Sequence, residues 1–191
     1  MFIALLDTCV LWPSLQRDFL LSLAIEGLYR PVWSSVVLDE LEYHEAKKLR
    51  SRGVAEEEAT RRAQHLLGQM RDHFADALVT GWEPLEGTYG LPDPDDEHVV
   101  AAAVLARAGV IVTDNLKHFP AARLPEDLEA LSAVRFAYNT VAVDPGGAAR
   151  AVVEISRRRQ APPLTVIEVL QRLDTTYGMQ DATALLRPYL H

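Results

Sequence analysis

Several things are scarce in this sequence. Cysteine occurs once, as Cys9, so no intramolecular disulfide can form, and a small core residue within the first apolar segment is its simplest use. No uninterrupted apolar run approaches the roughly 20 residues that a membrane helix needs. The N-terminus opens directly on strand-like residues, without the basic region and cleavage site of a secretory leader. A cytoplasmic protein with no membrane partner is the expectation. Positive charge is short as well: 19 lysines and arginines stand against 27 acids, a formal net charge of -8. That excludes nucleic-acid binding through global positive charge, but not an enzyme acting on nucleic acid whose acids gather round bound cations.

Catalytic signatures are missing too. There is no phosphate-cradling glycine loop of the Walker or dinucleotide type, no serine nucleophile elbow and no twelve-residue calcium loop. Asp7-Thr8-Cys9 lacks the second aspartate that a haloacid-dehalogenase phosphatase carries two positions on. The basic runs Lys47, Lys48, Arg50 and Arg52, then Arg61 and Arg62, then Arg157 to Arg159 read as solvated helix faces.

What is present is an ordinary globular composition, with 49% hydrophobic and 24% charged residues over 191 positions. Residues 2 to 6 form an apolar run that stops at Asp7, which fits a strand buried on both faces. A helical pattern follows between Ser14 and Leu28, a short strand at Pro31 to Trp33, and a helix capped by Ser34 or Ser35 that carries Glu40. Ala55 to Leu78 carries a long amphipathic pattern, and Trp82 to Leu85 is expected to be a third strand. Gly90 to Asp96 holds two prolines and three acids, a loop ending at a helix cap. Glu97 to Ala108 then reads as a buried helix closed by Gly109, and Val110 to Thr113 as a strand. Strands alternating with helices predict an α/β fold with a mostly parallel central sheet flanked by helices. After residue 140 the pattern is helical. Asp144-Pro145 opens one helix, Gln160 to Pro163 breaks it, Thr165 and Glu168 offer a capping box, Gly178 ends the next helix and Asp181 is placed to cap a last one. The expected division is a domain over 1–140 with a helical C-terminal extension over 141–191.

Four acid-bearing islands stand in order along the chain: Leu5-Leu6-Asp7-Thr8, Leu38-Asp39-Glu40-Leu41, Pro92-Asp93-Pro94-Asp95-Asp96 and Val112-Thr113-Asp114-Asn115. An ionised Asp7 straight after an apolar strand is expensive unless solvated, paired or bound to metal; a turn-capping aspartate is the plainer alternative. Glu40 is expected to share an inward helix face with Val36, Val37, Tyr43 and His44, with Asp39 and Glu42 outward. Asp93, Asp95 and Asp96 stand where a helix N-terminus attracts acids in any case; Asp96 is preferred as a ligand, Asp93 second. Asp114 or Asn115 can donate an oxygen after the last strand. Acids brought together repel, and hard oxygen ligands in this number suit Mg²⁺ or Mn²⁺ better than zinc. His98 and His118, near the islands, are candidates to contact phosphate. His65, His73 and His191 read as surface residues.

These four motifs, in this order and spacing over roughly residues 1 to 140, resemble the PIN domain, a nuclease fold found in VapC-type toxins of bacterial toxin–antitoxin pairs. The resemblance rests on Leu6-Asp7-Thr8-Cys9-Val10, on Ser35 to Glu40, on Leu91 to Ala103 and on Val112 to Pro120. It implies a PIN-like fold and metal binding by Asp7, Asp96 and Glu40, with Asp93 and either Asn115 or Asp114 completing the catalytic set. The family usually has an aspartate two residues after the threonine of the last motif. Here Asn115 stands there, with Asp114 one residue early.

The activity so implied is endoribonuclease cleavage with Mg²⁺ or Mn²⁺. Thr113 or Thr8 would orient a water or a carboxylate, and Lys117 and Arg123 would meet the phosphates of single-stranded or looped RNA. The implied partners are a cognate antitoxin and a second copy of the chain. A catalytically weak PIN-like module that binds RNA or protein is the alternative kept open by Asn115, and a phosphatase for small substrates is a further rival.

Overall fold

A computed structural model describes residues 2–160 and 162–190; His191 lies outside the described residues. Its strands are short: β1 (Ile3–Leu6), β2 (Arg30–Val32), β3 (Val110–Val112) and β4 (Glu129–Leu131). They pair in the order β2-β1-β3-β4, every pair parallel. The helices are α1 (Thr8–Leu11), α2 (Ser14–Ile25), α3 (Ser35–Ser51), α4 (Glu56–His73), α5 (Glu97–Leu105), α6 (Ala133–Val143), α7 (Pro145–Arg158), α8 (Val166–Tyr177) and α9 (Gln180–Leu186). The fold is thus the PIN-like α/β arrangement expected, a parallel sheet flanked by helices. Among the described residues no helix is long and apolar enough to cross a membrane.

The period-2 geometry of β1 splits the core in two. Ala4 and Leu6 face one apolar cluster, with Phe19, Leu41, Phe136 and Val152; Leu5 faces the other, with Val99, Val100 and Ile111. All are almost completely buried, and each large aliphatic side chain so placed contributes roughly 1.5–3 kcal/mol. The near-continuous apolar run of β1 follows from this: both of its faces are covered.

The chain runs from β1 to β2 on one side, then crosses to β3 on the other. The strand order therefore reverses between β1 and β3, and the crevice beyond their carboxyl ends is where ligands bind in open parallel sheets. Asp7 and Thr113 stand at that point, immediately after the two strands. The Asp7 N–H still donates to the Val112 carbonyl at 3.0 Å and the Thr113 N–H to the Leu131 carbonyl at 2.9 Å, so both residues are held by the last rungs of the sheet.

Several expectations need correction. Trp82 to Leu85 is not a strand; Glu83–Leu85 is a 3₁₀ turn with Pro84 inside it, and proline cannot donate to a sheet ladder. Beyond β2 the sheet edge is instead touched by Leu78 in a single parallel bridge to Trp33. β4 has no apolar run and comes from pairing with β3. α4 ends at His73 because Phe74 leaves helical geometry (φ -132, ψ 60), so the segment to Leu78 is irregular. α5 stops at Leu105, and the left-handed turn that follows is taken by Arg107 (φ 54) rather than by Gly109. The last helix has Met179 at its N-cap position, with no side-chain cap, and Asp181 lies inside its first turn.

The C-terminal helices are packed on the core. Val152 and Ile155 of α7, Leu173 of α8 and Leu186 of α9 belong to the cluster that contains Ala4 and Leu6 of β1. The Thr165–Glu168 capping box is present on α8, and Gly178 ends it with φ 70. The 140/141 division falls inside α6. In the last basic run Arg157 and Arg158 are exposed, as expected, but Arg158 and the half-buried Arg159 are also tied to α2. Arg158 donates to Ser22 Oγ at 2.7 Å, and Arg159 donates twice to Asp18 Oδ2 at 2.8 and 3.1 Å, both partners lying on α2.

Candidate active site

Asp7 is placed by its neighbours at each atom. Its Oδ1 accepts from the Thr8 N–H at 2.6 Å, which caps α1, and its Oδ2 accepts from Thr113 Oγ1 at 2.7 Å and from Cys9 Sγ at 3.2 Å. The expected capping role is thus observed, and the same side chain, 5% exposed, lines the cavity described below. Thr113, fully buried, also accepts from the Asn115 N–H at 3.1 Å, and the Asp114 N–H donates to Cys9 Sγ at 3.2 Å, which ties the turn after β3 to the turn after β1.

Glu40 reaches the same place from α3, whose first turn is capped by Ser34 through the Val37 N–H. Thr8 Oγ1 donates to Glu40 Oε2 at 2.5 Å. Asp39 is exposed, whereas Glu42 is half-buried and takes a hydrogen bond from Gln64 Nε2 at 3.1 Å. Tyr43 is 56% exposed and does not share the burial of Val37; three residues on from Glu40, it has rotated past the buried edge of the helix.

The third island depends on Glu97, a residue outside the expected site set. Its buried carboxylate accepts from the Leu91 N–H at 2.8 Å and the Tyr89 N–H at 3.0 Å, pulling the acidic loop against the start of α5. Burial opposes its ionisation, but backbone N–H groups, led by Leu91 and Tyr89 with Gly90 and Gly87, outweigh it and hold the carboxyl below its usual range. Asp93 Oδ1 accepts from the Asp95 N–H at 3.1 Å and caps the 3₁₀ turn Pro94–Asp96. Asp96 precedes α5 but caps nothing. Its Oδ2 lies 2.7 Å from His118 Nδ1, and that nitrogen is 3.7 Å from Asp93 Oδ2.

In the fourth island the two neighbours diverge. Asp114 Oδ1 accepts from the Ala133 N–H at 3.0 Å, at the start of α6, while Asn115 lines the acid cavity. The cavity, of about 460 Å³, is bounded by Asp7, Thr8, Glu40, Asp93, Asp95, Asp96, Asn115 and His118, by His44 from the face expected to carry Glu40, and by two residues not foreseen there, Cys9 and Trp12. Lys117 and Arg123 are exposed and do not line it. Arg123 Nη1 instead lies 3.4 Å from where a Cβ on Gly90 would stand, beside the base of the acidic loop.

The electrostatics follow from crowding. Burial raises the Asp96 carboxyl, Asp7 and Asp93 push the same way, and the hydrogen bond from His118 works against them. Burial and then the Asp7 charge push the Cys9 thiol up to about 12, so it stays protonated as a donor to Asp7, at the cavity rather than purely in the core. His98 is no phosphate contact. It is buried, paired through Nδ1 with Ser34 Oγ at 2.8 Å and tilted against Trp82, and burial lowers its pKa so that it stays neutral. His65 and His73 are exposed, as expected.

This donor set fits a hard divalent cation. One ligand atom from each of Asp93, Asp96 and His118 lies within 4.8 Å of the others, Asp7 and Glu40 face the same space, and no lysine or arginine lines it among the described residues. Oxygen-rich sites of this kind suit Mg²⁺ or Mn²⁺. His118 belongs to this group through the 3₁₀ turn Leu116–His118, a local geometry that three residues of sequence do not announce.

Comparison with known proteins gives one match and two blanks. A family model described as the PIN domain matches residues 4–117. No curated protein and no solved structure matches the chain significantly. The matched span contains Asp7, Glu40, Asp93, Asp96 and Asn115 and ends before α6 to α9.

Proposed function

The chain belongs to the PIN domain family, one of metal-dependent nucleases, and from that premise we propose that it is a cytoplasmic endoribonuclease that uses Mg²⁺ or Mn²⁺. The observation that carries this reading is the meeting of Asp93, Asp96 and His118 with Asp7 and Glu40 in one cavity at the sheet's switch point. Asp93, Asp96 and His118 would hold an ion, with Asp7 as a further donor. A divalent ion held there supplies Lewis-acid activation of water and neutralises charge on the phosphodiester. The protein's part is to fix the donors: Thr113 and Cys9 set Asp7, Thr8 sets Glu40, and His118 sets Asp96. Such preorganisation removes the cost of arranging charges during the reaction. In the hydrolysis, water oxygen joins phosphorus, the bond from phosphorus to one sugar oxygen breaks, that oxygen leaves with a proton taken from solvent, and the proton that water gives up passes through Glu40 to solvent. Glu40, held at Oε2, offers Oε1 to take the proton from water.

Single-stranded or looped RNA is the substrate proposed, because an unpaired backbone bends into a narrow crevice more easily than a duplex. In the cell the reading is that of the toxin of a type II toxin–antitoxin pair, acting as a homodimer. The antitoxin would insert an arginine among the carboxylates, which a guanidinium satisfies bidentately. Asn115 favours a second reading, a catalytically weak module that binds RNA or protein, since the amide keeps an oxygen and loses a charge. End-mapped cleavage of a total RNA pool, with Mg²⁺, Mn²⁺ or EDTA, separates the two. Discrete metal-dependent cuts are expected; binding without cuts, by protein free of any copurified partner, establishes the second reading instead.

A further inference from the structure

A second pocket of opposite character adjoins the acid cavity, and the two share a wall. Trp12, at the end of α1, meets His44 of α3 edge to face at 6.2 Å, and both residues line both pockets. On the far side the lining is Lys47, Lys48, Ser51 and Arg52, without an acid. His44, Lys47, Lys48 and Ser51 stand at the spacing that shares one helix face. Lys48 Nζ lies 5.8 Å from the Trp12 ring and is already engaged by Ser14 and Glu45, whereas Lys47 is exposed over Tyr43 at 5.7 Å. Arg52 is exposed too.

We infer that this aromatic and basic strip is the track along which single-stranded RNA enters the acid cavity, with a base stacked on Trp12 and the adjoining phosphates on Lys47 and Arg52. The inference rests on the ribonuclease reading and gives that site its strand path. A chain of net charge -8 repels a polyanion at long range, so attraction must come from close contacts near the cut. Stacking supplies sequence-tolerant contact with unpaired bases, and the cations stand on the opposite side of Trp12 from the acids. A phosphate over the acid cavity and its neighbours over the strip would each meet the charge they need. Trp12 suits the role by exposure: it is 43% exposed, while Trp33 and Trp82 are 0% and 4% exposed.

That difference supplies the readout. Tryptophan fluorescence is titrated with a short unstructured RNA, without added metal, and the same RNA is then tested for cleavage with Mg²⁺ or Mn²⁺. The wild type is expected to lose its solvent-exposed emission on binding and to cleave. Trp12→Ala is expected to bind about tenfold more weakly. Trp12→Phe keeps most of the affinity but loses the quench. The double variant Lys47→Ala, Arg52→Ala binds more weakly, and its log affinity falls less steeply with log salt, by about 0.7 for each phosphate contact removed. Wild-type affinity and salt dependence in all three variants, alongside intact cleavage, would overturn the strip alone and assign it to a protein partner. Wild type that neither binds nor cleaves the RNA overturns the nuclease reading and the strip together. A duplex of the same sequence that binds as tightly and quenches as fully also defeats the inference.

Discussion

Asp18 and Asp96 carry the same side chain in opposite surroundings. On α2, Asp18 is held by Arg159 at 2.8 Å with Arg158 at 3.8 Å, and this pairing joins the end of α7 to the N-terminal half of the chain. In the cavity, Asp96 has only an imidazole beside it and further carboxylates around it. One region has spent its charge on internal partners, and its acids are part of the architecture. The other keeps its acids together against their mutual repulsion, fixed by hydroxyl, thiol and imidazole donors. An acid cluster without internal cations is destabilised until a cation arrives, so the difference separates structure from function more clearly than acid content does.

The sharpest way to break the contrast is Asp7→Asn. An amide still caps α1 through its oxygen and can turn its NH₂ to Thr113, so the fold is kept while a charge is lost. Metal-dependent RNA cleavage is expected to fall on the order of a thousandfold, the several kcal/mol that ion-assisted stabilisation supplies, while the thermal midpoint without metal stays level or rises. Cleavage at the wild-type rate would remove Asp7 from the chemistry.

Next in size is Glu97→Ala, which leaves the Leu91 and Tyr89 N–H groups without their acceptor. Denaturant unfolding is expected to show a loss of about 3 kcal/mol. Because the folded Glu97 carboxyl lies below its usual range, its contribution is full above the ordinary glutamate pKa and is lost as pH falls through the depressed folded value. The gap between wild type and variant should therefore narrow in acid. A constant gap across that range would show that the carboxylate's charge does not hold the loop.

Asn115→Asp sharpens the comparison from the other side by adding an acid to the cavity. Divalent-ion affinity, measured by calorimetry, is expected to rise about tenfold, roughly 1.4 kcal/mol, with a lower thermal midpoint when metal is absent. No change in affinity would place residue 115 outside the ion's surroundings. The smallest effect belongs to Asp18→Ala. Its ion pairs are partly exposed, with side-chain exposures of 35% and 28% for Asp18 and Arg159, so unfolding should show a loss below about 1 kcal/mol and cleavage should be unchanged. A larger loss would mean that α7 depends on this anchor rather than on its apolar face.

Much of this organisation is legible along the chain because it is local. The apolar run of β1 stops where Asp7 leaves the sheet, and Thr165 with Glu168 announces its own cap. β4 is not local: Glu129, Ala130 and Leu131 have no strand character apart from their pairing with β3. At Trp82 to Leu85 apolar character suggested a strand, and Pro84 decided otherwise. Within the site, island order marked Asp7, Glu40, Asp93 and Asp96. What the sequence could not show was which oxygen each neighbour occupies: that Asp114 turns to Ala133, that His98 is sealed behind Ser34, and that His118 turns toward Asp96. Those are consequences of chain reversal and packing, which periodicity does not encode.

The bond from Thr113 to Asp7 joins residues 106 positions apart. Closing so long a loop carries an entropic cost that a growing chain cannot meet until the far strand exists. During synthesis, then, the first half of the polypeptide emerges with Asp7 and Glu40 but without the threonine, asparagine and histidine that shape the pocket around them. The pocket is completed late and all at once, when β3 inserts beside β1, so an interrupted translation product ending before that strand lacks the residues that fix Asp7.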